Sequence, residues 1–420
     1  MEALPRLTAD QTAERLGVKL ETLYAYVARG RLTRERTATG STFDPLEVEH
    51  FAASRRKRAA PAGPSDGRPL MVIDTDFARI EDSALFYRER PAANLAAEPF
   101  ETVARWALTG RWDPSARFAP GPGIEAARRV ANALPPAAGN RDRQLVAVTA
   151  LAAADPLRTS LEADVVASAA ERIAAGMVTV LPEREAWGGD ARRREAGGCD
   201  THGGDSTSTL PRELWARLSA HSPSSASLRV LNAALVLLID HDLAISTLAA
   251  RAAASARATA YAVVIAGMGA LDSPLHGNAS RAAHRMLARV ADGEHPARVI
   301  ADSVVNARGP VPGFGQPLYP AGDPRARVLL GMLADIPDAA PALAAADALA
   351  DVLLDRTGAR PNVDFALGAL SLAAGMRDDA GEVIFATARA VGWIVHALSE
   401  YREAPLRLRT VGRYTPRAFR

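Results

Sequence analysis

This sequence predicts a mainly α-helical protein, on three observations. Alanine dominates, leucine and valine supply most of the bulk, and aromatic residues make up only 5% of the chain. Alanine costs least in a helix and lets helix axes approach closely, so the composition favours tightly packed helices. From "EPFETVARWALTG" onward, apolar residues recur at helical spacing with short connections between segments. At 420 residues the chain can bury a large core and is long enough for two or three domains.

The first unit spans residues 7–57. "LTADQTAERLGV" places Thr8 three residues before Gln11, a capping-box spacing, and Ala13 and Leu16 supply an apolar face before the Gly17 turn. "KLETLYAYVARG" is a second short helix closed by Gly30, and "RLTRERTATGSTFD" reads as two short strands about a glycine turn. "DPLEVEHF" starts a helix at Asp44 and Pro45. Helix, turn, helix and hairpin resemble the winged helix-turn-helix modules of the MerR and excisionase type, which implies DNA as a partner of residues 7–57. The residues support that partner only weakly. Lys19, Leu20 and the acidic Glu21 stand where such modules usually carry a capping Ser and an Arg. Residues 1–58 hold 11 basic and 8 acidic side chains, a net of +3, which is small for a phosphate-binding surface. An interaction or dimerisation module is the other reading.

"RRKRAAPAGPSDGRP" is a charged run followed by a Pro/Gly/Ser segment, and residues 59–69 read as a linker that makes residues 1–58 separable. "MVIDTDFARIEDSALFYRERP" alternates as two strands about Ile80–Asp82. Residues 187–209 break the helical pattern with a polar, Gly-rich loop. Cys199, Asp200, His202 and Asp205 within it have glycines on both sides, which leaves them without the outer support that a stable metal site uses, so no metal is assigned.

Composition restricts the setting as well. Lysine occurs only at Lys19 and Lys57, and the formal net charge of +2 argues neither for nor against nucleic acid. The single cysteine excludes an internal disulfide, which fits a reducing cytosol. "MEALPRLTADQ" has no signal-peptide core, and "VLNAALVLLI" and "TAYAVVIAGMGAL" suit buried helices rather than membrane spans. The expectation is a cytoplasmic protein with no membrane partner.

Three residues stand where a packed helical protein has little use for them. His241 follows an apolar helix, His276 lies in a Pro/Gly-flanked turn, and Asp364 lies at the start of a helix. Singly, each has an ordinary explanation: a histidine at a helix end is more often a cap or a satisfied core group, and an aspartate there is usually an N-cap. A fourth segment, "VPGFGQPLYPAGDPRA", is a Pro/Gly loop that carries Gln316 and ends on Pro324-Arg325.

In order and spacing, "LNAALVLLIDHDLAISTLAAR", "GMGALDSPLHGNA", this loop, "NVDFALGAL" and "ARAVGWIVHALSE" resemble the citrate synthase family, and "VIDTDFARIEDSALFYRERP" is similar to that family's N-terminal strands. The resemblance covers about residues 70–415. Members with an N-terminal helix-turn-helix form a subgroup. The resemblance implies a large helical domain of residues 70–275 and 375–420 enclosing a small one of 276–374, in a homodimer with no tightly bound cofactor. It also implies condensation of acetyl-CoA, propionyl-CoA or a similar acyl-CoA co-substrate with oxaloacetate, the chemistry of citrate or 2-methylcitrate formation.

The roles implied are as follows. Asp364 would take a proton from the thioester methyl group, and His276 would hydrogen-bond the thioester oxygen as it becomes an enolate. His241, Arg325, Arg389 and, given by the partner subunit, Arg407 would hold oxaloacetate, whose two carboxylates suit guanidinium forks. Pro312, Gly313, Phe314, Gly315 and Asn362 would meet the acyl-CoA. The family's loop reads Gly-Phe-Gly-His, and here Gln316 takes the catalytic histidine's place. Its amide can donate a hydrogen bond but cannot become cationic, so the expected activity is lowered. Asn278 likewise replaces a glycine usual in the His276 turn. The alternative is a weakly catalytic sensor of oxaloacetate or acyl-CoA that signals through the N-terminal module.

Overall fold

The computed structural model describes residues 4–38, 40–58, 72–184, 208–273, 276–306 and 310–411. The expected 59–69 linker and residues 187–207 of the Gly-rich loop, with Cys199, Asp200, His202 and Asp205, lie outside these residues.

The N-terminal unit runs β1 (Leu7–Thr8), α1 (Ala9–Leu16), α2 (Leu20–Ala28), β2 (Arg34–Thr37), β3 (Gly40–Phe43) and α3 (Pro45–Arg58). The capping box forms: Thr8 Oγ1 accepts the Gln11 N–H at 3.2 Å, and Gln11 Oε1 accepts the Thr8 N–H at 2.9 Å. The three strands pair antiparallel in the order β1-β3-β2 over a small core that includes Leu23, Leu32, Phe43 and Leu46. This unit does not stand apart from the rest of the chain. Its α3 packs on two later helices, α14 (Pro296–Asn306) and α16 (Ala340–Thr357). Arg15 Nη1 donates to the Val304 carbonyl at 2.9 Å, and Arg356 pairs with Asp44 at 3.0 Å.

A hairpin, β4 (Ala78–Glu81) and β5 (Ala84–Tyr87), follows, with a short β6 (Arg90–Pro91) on the edge of β5. The turn lies at Asp82–Ser83, both with positive φ, so Ile80 belongs to a strand, shifting the turn from the Ile80–Asp82 expected. Tyr87 is fully buried, and its hydroxyl donates to the Val236 carbonyl at 2.9 Å while accepting the Asp240 N–H at 3.2 Å. That pins the hairpin to the segment leading into His241.

Helices then follow one another: α4 (Ala92–Leu95), α5 (Phe100–Thr109), α6 (Ile124–Asn132), α7 (Asn140–Ala154), α8 (Ala163–Thr179), α9 (Leu210–Leu218), α10 (Ser225–Leu238), α11 (Ile245–Ser255), α12 (Ala260–Leu271), α13 (Ala279–Ala291), α14, α15 (Pro324–Leu333), α16, α17 (Val363–Ala373) and α18 (Ala380–Tyr401). Two clusters result. Helices α13 to α17 pack among themselves, while α18 threads the other cluster, touching α5, α7, α8, α10, α11 and α12, and also meets α13 and α17. By length and hydropathy α18 is apolar enough to cross a membrane, yet all its residues except Ser399 and Tyr401 are buried in the protein.

Such density needs a small residue where α18 crosses the end of α10. A Cβ on Gly392 would run into the Ile239 carbonyl. Gly392→Ala therefore destabilises the fold by about 1–3 kcal/mol, the overpacking cost outweighing the ~1 kcal/mol that alanine gains in helix propensity. A lowered urea midpoint at unchanged slope checks it.

Candidate active site

Four loops converge on one cleft of about 320 Å³, lined by His241, Asp242, Leu243, Ala244, His276, Gln316, Leu318, Arg325, Asn362, Val363, Asp364, Phe385 and Arg389. The cleft lies where the two helix clusters meet: Arg389 and Phe385 come from α18, while Arg325 and Asp364 come from the first turns of α15 and α17.

The Pro/Gly loop is stitched to the segment before α17. Gly315 N–H donates to the Arg360 carbonyl at 2.9 Å, Asn362 N–H to the Gly313 carbonyl at 2.9 Å, and Asn362 Nδ2 to the Gly315 carbonyl at 3.0 Å. Gly313 is obligatory there: its φ is +81°, and a Cβ would crowd Phe365 and Ala283. The Phe314 ring packs tilted against Phe365, with ring centres 4.6 Å apart. Of the residues expected to meet acyl-CoA, Asn362 lines the cleft, while Pro312, Gly313, Phe314 and Gly315 build the loop behind it. Gln316 Oε1 accepts the Leu318 N–H at 3.4 Å, which leaves the amide N–H groups as donors toward the cleft.

Asp364 is not the helix cap. Asn362 is: its Oδ1 accepts the N–H groups of Asp364 at 3.0 Å and Phe365 at 3.4 Å, so the Asp364 carboxyl is free for the cleft. Burial lifts that carboxyl to about pH 7; Asp323 pushes the same way, and Arg325 and Arg389 oppose it.

The two arginines are held differently. Arg325 forks onto Asp323 through Nε at 3.0 Å and Nη2 at 2.7 Å, both residues being buried. Burial works against its charge, and the Asp323 carboxylate outweighs it. Asp323 also caps α15 through the Arg325 N–H and accepts the Val363 N–H at 3.1 Å. Arg389 is 1% exposed; its Nε donates to the Leu238 carbonyl at 2.9 Å and its guanidinium lies 4.7 Å from the Phe385 ring centre, while Nη1 has no partner among the described residues. Burial lowers its affinity for its proton.

Both cleft histidines are pushed toward the neutral form. Burial, then Arg325, Arg389 and His276, push His241 well below the ordinary imidazole value, and its buried Nε2 has no partner among the described residues. Burial and then Arg389 push His276 down to about 4. The Nε2 of His276 lies 2.7 Å from Ser246 Oγ, and its ring meets Phe385 edge-on at 5.9 Å. If the Ser246 hydroxyl donates, the imidazole proton sits on Nδ1, available to an acceptor in the cleft.

So the structure gathers His241, His276, Gln316, Arg325, Asn362, Asp364 and Arg389. It leaves Arg407 outside: Arg407 Nη2 pairs with Glu400 at 2.7 Å. Sequence reasoning missed Asp323, Ser246 and Phe385. Asp323-Pro324 carries the signature of a helix start, but its hold on Arg325 shows only in three dimensions. No group of residues suited to a metal occurs among the described residues.

A family model described as "Citrate synthase, C-terminal domain" matches residues 68–411. Citrate synthase 2 of Bacillus subtilis is 30% identical over 187 residues, 44% of this chain and 50% of that protein. The 2-methylcitrate synthase 2 of Corynebacterium glutamicum is 30% identical over 226 residues, 52% of this chain and 58% of that protein. The chain thus spans about half the length of the curated relatives it matches. A solved citrate synthase from Thermoplasma acidophilum, in ternary complex with carboxymethyl coenzyme A and oxaloacetate, superposes with a TM-score of 0.66 at 24% identity, covering 84% of this chain and 95% of that one. That likeness establishes the fold.

The raised Asp364 carboxyl has a measurable effect on stability. Folded, it keeps its proton up to about pH 7, whereas an unfolded aspartate loses it near 4, so its contribution falls as pH rises through that window. Asp364→Asn escapes the penalty. The variant should be more stable than the parent by roughly 1–3 kcal/mol at pH 8 and no more stable at pH 4, as read by denaturant unfolding at both pH values.

Proposed function

The chain belongs to the citrate synthase family, and we propose that it condenses acetyl-CoA or propionyl-CoA with oxaloacetate, releasing CoA and citrate or 2-methylcitrate. One observation carries the reading: two buried guanidinium groups face the same cleft as a carboxyl lifted to about 7. The cations suit a dicarboxylate, and a carboxyl of that pKa suits proton abstraction.

In this proposal Arg325 and Arg389 bind the two carboxylates of oxaloacetate. The unpartnered Nη1 of Arg389 and Nε2 of His241 supply donors or acceptors that nothing else in the described chain uses. Ionised Asp364 takes a proton from the carbon next to the thioester carbonyl. Neutral His276, with Nε2 engaged by Ser246, donates from Nδ1 to the enolate oxygen. The enolate carbon then bonds to the keto carbon of oxaloacetate, and Gln316 donates from its amide to the oxygen that becomes an alkoxide. That alkoxide needs a proton that an amide cannot deliver, so water supplies it, and water hydrolyses the thioester to free CoA. The cleft closing on its ligands, a homodimer in which Arg407 serves the partner's cleft, a cytoplasmic setting and a place in the tricarboxylic acid cycle belong to the same proposal.

A second reading has an observation of its own. The N-terminal unit, which we read as a winged helix-turn-helix, docks on α14 and α16, in the cluster that carries Arg325 and Asp364. A protein that binds oxaloacetate or acyl-CoA and signals through that unit, to DNA or to another protein, would use this arrangement.

Release of free CoA thiol, measured with either acyl-CoA and oxaloacetate, tests the first reading. Turnover that Asp364→Asn abolishes supports it; oxaloacetate binding with no thiol released by the parent protein favours the sensor. Gln316→His restores an imidazole that can become cationic, and it should raise kcat by about one to three orders of magnitude, with a smaller change in oxaloacetate affinity. A fall in rate would mean that the cleft is built around the amide for another keto acid.

A further inference from the structure

The turn that carries His276 joins α12 to α13, and three of its described N–H groups converge on one acceptor. The Ser273 carbonyl takes the N–H groups of His276 at 3.2 Å, Gly277 at 3.1 Å and Asn278 at 3.2 Å. Asp272, the residue after α12, flanks the turn on one side, and Asn278, the residue before α13, flanks it on the other. Asn278 makes no capping bond to its own helix. Its Oδ1 instead accepts from Arg141 Nη1 at 2.9 Å, while Arg141 Nη2 donates to Asp272 Oδ1. A single guanidinium thus ties together the two ends of the turn.

Arg141 stands in the first turn of α7, which packs on α12 and α18, so the clamp is anchored in the core cluster. Its side chain is 16% exposed, and the buried carboxylate of Glu382 lies 4.0 Å from Nη1. The planar fork matters here, because a lysine offers a point charge rather than two divergent donors. A glycine at position 278 would leave the clamp with one arm.

We propose that Arg141 is a positioning residue for His276, acting through Asn278 and Asp272 to fix the turn from both ends. This rests on the reading that His276 stabilises an enolate in the cleft. The ring itself is held by Ser246 Oγ and the edge of Phe385, both on helices outside the turn. Keeping Nδ1 aimed at a reacting oxygen therefore requires the backbone at 276 to stay in register with α11 and α18, and Arg141 supplies that register from α7.

The test is a double-mutant cycle on thiol release. Arg141→Met should lower kcat about 10- to 100-fold, the cost of a displacement near 1 Å, with oxaloacetate Kd changed by less than about two-fold. In a His276→Ala background the same substitution should cause no further loss. Arg141→Lys should recover part of the rate, and Asp272→Asn, at an exposed site, should cause a smaller loss. Equal losses in both backgrounds, or a loss expressed in oxaloacetate affinity, would overturn the proposal. If the parent protein releases no thiol, the condensation reading falls, and amide exchange at Gly277 and Asn278 decides about the clamp. Exchange faster by about ten-fold or more in Arg141→Met, at an unchanged unfolding midpoint, supports it, and unchanged exchange sinks it.

Discussion

Two guanidinium groups buried beside one cleft set the conditions for everything around them. A charge taken out of water is costly unless it is paired and hydrogen-bonded. Arg325 meets that condition inside the chain through Asp323, whereas among the described residues Arg389 has one carbonyl and an aromatic face and keeps a nitrogen unpartnered. The positive field that remains helps keep both cleft histidines neutral and works against the lift that burial gives Asp364. A dianionic ligand would complete the set of partners that the fold leaves unfilled.

Holding these groups in place depends on how the helices pack. Helix α18 contributes Arg389 and Phe385 and is enclosed by neighbours over nearly its whole length, so these two side chains have little freedom to drift. The opposite wall belongs to α15 and α17, whose first turns are joined by the shared acceptor Asp323. The cleft therefore lies between α18 and the first turns of α15 and α17, and α18 also packs directly on α13 and α17. The N-terminal unit sits on α14 and α16, two helices that pack with α13 and α17.

Much of this was legible in the sequence, and the exceptions have physical causes. Composition and periodicity pointed to helices because alanine-rich, short-looped segments leave few other options. The ordered motifs pointed to the cleft residues. The hairpin turn was misplaced because Asp82 and Ser83 adopt positive φ without a glycine to announce it. Asp364 looked like a possible cap because the cap, Asn362, lies two residues earlier and competes for the same signal. Ser246 lies thirty residues from its partner His276, and only folding brings the two together. The docking of the N-terminal unit was hidden in the same way, since Arg15 and Val304 are far apart in the chain.

Asp323 and Gln316 sit in the same loop region and differ in how much of the fold hangs on them. Asp323 starts a helix, neutralises a buried cation and aligns a second helix, so one carboxylate answers for three separate requirements. Among the described residues, Gln316 bonds to backbone atoms of its own loop, two and three residues on. Exchange at 316 leaves the scaffold standing, whereas exchange at 323 removes a cap, a counter-ion and an alignment at once. The chemistry of the cleft can thus be altered at 316 at little structural cost, whereas any change at 323 is first a change to the scaffold.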